Sequence, residues 1–140
     1  MTLYVFDTDH LSLYGRNHPI LIDRLQQQSI VLTTTAINIE EQVRGRLAQI
    51  SEAKDGDALA NAFRWLSETV KLLSEFEVLQ FTIEAQSIYR ELKLQRIRVG
   101  TQDLRIASIV LANQGILLSR NARDFDRILN LTVENWTIDR

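Results

Sequence analysis

Short apolar runs alternate along the chain with longer stretches in which apolar residues recur at helical spacing. The short runs predict buried strands, at Leu3–Phe6, Ser29–Thr33, Phe76–Phe81, Ile116–Ser119 and Thr132–Trp136. The longer stretches predict helices within 10–28, from Asn38 onward, and over 59–73, 82–95 and 101–115. This alternation predicts an α/β fold, with a parallel sheet of about five strands and helices on both faces.

Local signals predict where the helices begin and break. Asn38 stands three residues before Glu41, which is the spacing of a capping box, so a helix should run on from Asn38. Thr101 is predicted to cap the helix that follows it. The first helical stretch should break near Gly15 and restart at Pro19, because proline suits the first turn of a helix.

Composition narrows the class of protein. A chain of 140 residues suits one domain spanning 1–140, and its 45% apolar and 24% charged residues are typical of a globular protein. The absence of cysteine excludes disulfides and thiolate metal sites. No secretory signal precedes the first strand, and no apolar run reaches ~20 residues. We therefore expect a cytoplasmic protein with no membrane partner.

The charge pattern gives conflicting evidence on whether the protein binds nucleic acid. The net charge of −2 provides no overall basic surface, which counts mildly against nucleic-acid binding. Basic residues nevertheless concentrate in Arg90–Arg98 and Arg120–Arg127. Each segment is equally well explained as a solvated face.

Four carboxylates stand where a parallel sheet would place a functional site. Asp7 directly follows the first strand, and Asp124 follows the "ILLS" strand by five residues. Glu41 and Asp103 are each predicted in the first turn of a helix. Because sites in such sheets form beyond the carboxyl ends of the strands, we expect the four acids to converge.

Converging carboxylates repel one another unless a cation is bound or some of them are protonated. Carboxylate oxygens are ligands that Mg²⁺ and Mn²⁺ accept. The chemistry that such a cluster serves best is metal-assisted attack of water on a phosphodiester.

Each acid also has a purely structural explanation. Glu41 and Asp103 would be favourable charges near helix N-termini. Asp124 would be an ordinary surface acid, and Asp9 would be the N-cap of the first helix. Asp7 is the strongest candidate for function, because an acid that ends an apolar strand has no evident local structural need.

The order of the acids and their surroundings resembles the PIN-domain ribonucleases, particularly the VapC-type toxins of toxin–antitoxin pairs. "YVFDTDHLS" resembles the family's opening strand, with its first acid followed by a small hydroxyl residue, Thr8. Members usually show Asn where this chain has Asp9, so the site would carry a possible fifth acid. "INIEEQVRG" resembles the second motif, in which the acid precedes a glycine by four residues. That spacing selects Glu41 over Glu40.

"TQDLRIASIVLANQGILLSRNARDF" resembles the third and fourth motifs of the family run together. Asp103 matches the third acid and Asp124 the fourth, with Ser119 and Asn121 as flanking polar groups. "LTVENW" resembles the usual ending. The resemblance covers essentially the whole chain, and the last two motifs are the most specific part of it.

The resemblance implies a Mg²⁺- or Mn²⁺-dependent endoribonuclease. Asp7 and Asp103 would hold the metal most directly, with Glu41 and Asp124 acting partly through water. Four arginines near the rim would contact RNA phosphates: Arg44, Arg105, Arg120 and Arg123. The resemblance also implies a homodimer and a small antitoxin partner that docks on the helices of residues 10–75.

Two other functions remain open at this point. "DTD" after a strand also resembles the start of haloacid-dehalogenase-like phosphatases, in which the first acid, here Asp7, is the nucleophile. Leu11 stands where that motif expects Thr or Val, and the chain is short for that fold with a cap. The other alternative is a PIN-fold binding module that no longer cleaves RNA, although the presence of all four acids argues against it.

Overall fold

A computed structural model of the chain describes residues 1–139, which form one parallel sheet and the helices that cover it. The strands are β1 (Tyr4–Phe6), β2 (Thr33–Thr35), β3 (Glu77–Leu79), β4 (Ile116–Leu118) and β5 (Thr132–Glu134). The helices are α1 (Thr8–Gly15), α2 (Pro19–Gln26), α3 (Ala36–Glu52), α4 (Gly56–Leu73), α5 (Ile83–Leu94), α6 (Thr101–Ala112) and α7 (Ala122–Phe125).

The sheet has the order β3-β2-β1-β4-β5, and all four strand pairings are parallel. The predicted fold class is confirmed. Phe6, the last residue of β1, lies opposite Thr34 of β2 and Leu118 of β4. The carboxyl ends of these three central strands therefore lie side by side. The chain leaves β1 toward β3 and then returns to the other side of β1, so the order of strands switches direction at this edge.

Successive residues of the central strands face opposite sides of the sheet, and helices cover both sides. Val5 and Leu117 pack in one core cluster with residues of α5, α6 and α7. Phe6 and Leu118 pack in the other with residues of α1, α2 and α4. The fully buried Trp136, just after β5, completes that second cluster.

The second strand lies later in the sequence than predicted. The apolar run Ser29–Thr33 was expected to form it, whereas β2 is Thr33–Thr35. All three threonines are buried, and the Thr34 hydroxyl donates to the Phe6 carbonyl oxygen at 2.8 Å. Hydrophobicity therefore located the strand too early, since these polar residues are buried by satisfying their hydroxyls.

Three predicted helix starts were also wrong by one to three residues. Thr35, not Asn38, caps α3, because its side chain accepts the Asn38 backbone N–H at 3.2 Å. Glu41 consequently lies in the second turn of α3, not the first. Gly100, not Thr101, is the N-cap of α6.

The cap of α1 is Asp7, not Asp9, because the Asp7 side chain accepts the His10 backbone N–H. The expectation that Asp7 has no local structural need was therefore wrong. Asp9 instead lies in the first turn of α1.

The end of α6 shows why Gly115 is glycine. The left-handed residue after the helix is Gln114, with a φ of 55°, and not Gly115. A Cβ atom on Gly115 would lie 3.2 Å from Cγ2 of Val5 and 3.3 Å from the Leu3 carbonyl oxygen. Gly115 thus allows the loop to approach β1 closely, rather than supplying an unusual backbone angle.

Within residues 1–139, no helix is both long enough and apolar enough to cross a lipid bilayer.

Candidate active site

Asp7 lies at the carboxyl end of the central strand, where its side chain caps α1 and lies beside the His10 ring. It is 8% exposed, and its Oδ1 accepts the His10 backbone N–H at 2.8 Å. The His10 ring is fully buried, and its Nδ1 lies 3.4 Å from the same oxygen. The backbone N–H of Trp136 donates to Nε2 of His10 at 3.3 Å. That contact makes Nε2 an acceptor, which places the ring proton on Nδ1, facing Asp7.

His10 is a site residue that sequence reasoning missed. Its orientation depends on Trp136, which is 126 residues later in the chain. Only the folded sheet, in which β5 brings Trp136 next to α1, reveals that His10 supports Asp7.

Glu41 is held by a chain of hydrogen bonds that joins α1, β2 and α3. The Thr8 hydroxyl donates to Glu41 Oε1 at 2.8 Å and accepts from the Asn38 side-chain amide at 3.0 Å. Asn38 is fully buried, and its Oδ1 accepts the Thr35 hydroxyl at 2.6 Å. Thr8, predicted as a supporting polar residue, therefore orients the Glu41 carboxylate.

Its neighbour Glu40 lies in a different environment. Glu40 Oε2 lies 2.8 Å from Nε of Arg44, and both side chains are more than half exposed. Its Oε1 also accepts from the Gln102 side chain at 3.2 Å, which links α3 to α6. Glu40 thus belongs to a surface ion pair, whereas Glu41 turns toward the end of β1.

Asp103 is the carboxylate on which the other three acids have an electrostatic effect. Burial raises the pKa of Asp103 above its ordinary value, and the charges of Glu41, Asp7 and Asp124 raise it further, in that order. Each of these three carboxylates therefore lies within electrostatic range of Asp103. The acids that the sequence singled out are brought to one edge of the sheet, where negative charge is concentrated.

Asp124 lies on α7, a one-turn helix that the apolar pattern did not predict. The Asn121 side-chain amide donates to Asp124 Oδ2 at 3.1 Å. The buried Ser119 in turn accepts the Asn121 backbone N–H at 2.9 Å. Ser119 and Asn121, both predicted as supporting groups, therefore fix the turn that presents Asp124.

Asp9 does not add an uncompensated fifth acid to the cluster. Both of its carboxylate oxygens bind the guanidinium group of Arg120. The hydrogen bond and the charge of Asp9 raise the pKa of Arg120, and the charge of Asp7 adds to this effect.

Of the other predicted phosphate contacts, two are already engaged within the protein. Arg44 binds Glu40, and Arg105 donates to the Gln102 side chain at 2.6 Å, with its guanidinium 5.4 Å from the centre of the Tyr89 ring. No hydrogen bond or ion pair joins Arg123 to another residue in the described part of the chain.

The residues at this edge suit a divalent cation in their chemistry, but they do not form a closed cage. The donors are carboxylate oxygens. The pKa of Asp103 is raised first by burial and then by repulsion from the other carboxylates, and a bound cation would relieve that repulsion. Among residues 1–139, however, no three His, Cys, Asp or Glu side chains are arranged as a ready set of ligands. A cation would therefore be held partly through water, as Mg²⁺ commonly is.

The sequence of the chain was compared with those of known proteins. No protein-family model matches the sequence. Ribonuclease VapC1 of Haemophilus influenzae strain R2866 is 26% identical over 138 residues, covering 96% of this chain and 98% of that protein. Ribonuclease VapC2 of Rickettsia felis is 35% identical over 68 residues, which is 46% of this chain and about half (51%) of that relative.

Solved structures agree with this relationship. The structure of VapBC-1 from nontypeable Haemophilus influenzae matches with a TM-score of 0.76 and 24% identity, over 98% of this chain and 100% of that chain. VapBC2 from Rickettsia felis, bound to a DNA fragment from its promoter, matches with a TM-score of 0.73 and 26% identity. The match covers 96% of this chain and 99% of that chain.

The sheet order and the match to these solved structures show a PIN-like fold. The sequence is also similar, over nearly its whole length, to proteins named Ribonuclease VapC.

Proposed function

We propose that this protein is a metal-dependent endoribonuclease that acts as the toxin of a VapBC-type pair. The observation that carries the proposal is the group of four carboxylates at the edge where Asp103 is affected by Asp7, Glu41 and Asp124. The supporting comparison is the similarity to proteins named Ribonuclease VapC. The proposal treats residues 1–140 as one nuclease domain.

The proposed roles of the acids follow from how each is held. Asp7, which is buried, and Asp103, whose pKa is raised first by burial, bind the cation most directly, and Glu41 and Asp124 bind its water ligands. Mg²⁺ or Mn²⁺ bound here would lower the pKa of a bound water and offset the charge of the scissile phosphate. The His10 backbone N–H and the Thr8 hydroxyl keep the Asp7 and Glu41 carboxylates in place, so that little reorganisation is needed when RNA binds.

The direct test is cleavage of a long single-stranded RNA by the purified protein. We expect cleavage with Mg²⁺ or Mn²⁺ and none with EDTA. Cleavage that continues in EDTA would contradict metal dependence. If Mg²⁺ raises the melting temperature but no RNA is cut, the protein is a PIN-fold binding module and not a nuclease. Hydrolysis of a small phosphomonoester in place of RNA would support the phosphatase alternative.

The partner predictions belong to the same proposal. The solved relatives in complexes named VapBC support a small antitoxin partner for this chain. Light scattering should give a dimer at tens of micromolar, roughly the range in which such contacts form. Co-expression with a small upstream gene product should yield a stable complex. Cytoplasmic residence also remains a prediction.

Thr8→Val tests the network that holds Glu41. The substitution keeps the size and the β-branch of the side chain but removes the hydroxyl that binds both Glu41 and Asn38. The Asn38 amide, which is buried, would lose its partner, at a cost of about 1 kcal/mol of stability. Cleavage should fall by about tenfold because Glu41 is no longer oriented.

Thermal melts and cleavage rates for Thr8→Val and Thr8→Ser provide the comparison. Thr8→Ser keeps the hydroxyl and should remain close to the wild type in both measurements. Equal losses in the two variants would mean that the methyl group, and not the hydrogen bonds, matters at this position.

A further inference from the structure

Two adjoining cavities form a groove between α1, α3 and α4, beside the carboxylates. Their volumes are about 320 and 240 Å³, and both are lined by Ser12, Arg16, Gln42 and Arg46. The smaller cavity reaches Glu41, and the larger one reaches Trp65. The groove therefore leads from one of the proposed catalytic acids across the surface to a half-exposed aromatic ring.

Gly45 lines the groove at a position where packing does not require a glycine. It lies inside α3, one turn after Glu41, although glycine is a poor helix former. A Cβ atom on Gly45 would meet nothing within 4 Å. The missing side chain instead leaves room in the cavity beside Glu41. Such a position suits the close approach of a ligand to the helix backbone.

Two arginines, Arg16 and Arg46, line both cavities of the groove, whereas the acids Glu41 and Glu68 each line only one of them. Arg16 is exposed and forms no ion pair with the other residues of the described chain. Arg46 is fixed by hydrogen bonds from Nε to Thr69 at 2.8 Å and from Nη1 to Gln49 at 3.0 Å. Glu68 also lines the groove, but it lies 3.7 Å from Arg64, which offsets its charge.

Trp65 adds a surface that suits a nucleobase. Its side chain is 37% exposed, and the Arg46 guanidinium lies 6.0 Å from the centre of the ring. An exposed aromatic ring beside a fixed cation is the combination on which the bases of a single strand stack.

We propose that the groove binds the single-stranded RNA segment next to the scissile phosphate. This inference rests on the proposed nuclease function and names the path of its substrate. Arg16 and Arg46 bind backbone phosphates, the open surface at Gly45 lets the strand pass, and Trp65 stacks on a base. Two arginines, several neutral hydrogen-bonding groups and an aromatic ring, in line with the acids, match RNA better than an apolar peptide.

Fluorescence anisotropy of a labelled single-stranded RNA tests this path in an Asp7→Asn background, with Mg²⁺ present. Arg16→Ala and Trp65→Ala should each weaken binding by about tenfold. Arg16→Ala should also reduce the slope of log affinity against log salt by about 1, whereas Trp65→Ala should leave that slope unchanged. Gly45→Leu should weaken binding by filling the cavity, without lowering the melting temperature, because leucine is a better helix former than glycine.

Arg90→Ala is the matched control, since it removes the same charge from α5, which covers the opposite face of the sheet. In the Asp7→Asn background, Arg90→Ala should bind RNA with the same affinity as Asp7→Asn alone. If Arg16→Ala and Trp65→Ala also bind like the control, the proposed path is wrong. If these variants instead release a co-expressed antitoxin without affecting RNA binding, the groove is a protein-docking site, which also overturns the inference.

Failure of this inference is distinguishable from failure of the nuclease proposal. If the wild-type protein cuts RNA, and the groove variants cut and bind RNA as well as it does, the nuclease function stands and the proposed RNA path is wrong. Wild-type protein that neither binds nor cuts RNA removes both.

Discussion

Asp7→Asn is expected to reduce metal-dependent RNA cleavage by about a thousandfold or more while leaving the fold intact. The substitution removes one negative charge from the carboxylate cluster, and the protein should lose most of its ability to hold a divalent cation beside the RNA. Asn is as good an N-cap as Asp, so α1 should keep its first turn. Cleavage assays and thermal melts with and without Mg²⁺ measure the two effects separately.

Two matched variants sharpen this test. Asp9→Asn should be mild, because it removes only a surface ion pair with Arg120, of the kind that contributes about 0–1 kcal/mol. Asp7→Ala should lose both activity and the cap, with a further cost of about 1 kcal/mol. Full activity in Asp7→Asn, or a loss of activity and stability in proportion, would contradict a metal-binding role for Asp7.

Asp103→Asn should also eliminate cleavage, but it should stabilise the protein when no metal is present. Burial and three neighbouring carboxylates raise the pKa of Asp103, so its ionised form is unfavourable in the folded state. Removing that charge should raise the free energy of unfolding at neutral pH by about 1 kcal/mol or less, after allowance for solvent screening. Addition of Mg²⁺ should stabilise the wild type more than the variant.

The pH dependence of this effect has a definite sign. Because the folded-state pKa of Asp103 is higher than its unfolded value, its favourable contribution is present at low pH and is lost as the pH rises through the raised pKa. Melting temperatures of metal-free wild type and Asp103→Asn should therefore converge at about pH 3–4, near the ordinary pKa of Asp. They should separate as the pH rises. A wild type that is the more stable of the two at pH 7 without metal would contradict the role of repulsion.

The sequence predicted the type and order of the elements better than their boundaries. Apolar periodicity identifies β1 and β4, since Val5, Phe6, Leu117 and Leu118 are buried by hydrophobicity alone. It misplaced β2, where three threonines are buried through hydrogen bonds. It also missed α7, which is too short to show a helical period.

The sequence was enough to predict which acids form the proposed site, but not which residues hold each acid in position. Parallel strands with acids at their carboxyl ends were enough to select Asp7 and to expect its neighbours nearby. The support of Asp7 by His10 depends on a backbone N–H from the end of the chain, which no local pattern indicates. The pairing of Asp9 with Arg120 joins residues 111 positions apart. Such long-range contacts follow only from the assembled sheet.

The central position of β1 has a consequence for the synthesis of the protein. Asp7 is made before the other residues of the proposed site, but its backbone N–H binds the Leu118 carbonyl oxygen, and Asp103 and Asp124 also lie far along the chain from it. At about 5–20 residues per second, roughly ten seconds separate Asp7 from Asp124 on the ribosome. A nascent chain therefore carries an incomplete set of acids until Asp124 has been added, and the proposed cleavage activity cannot arise before then.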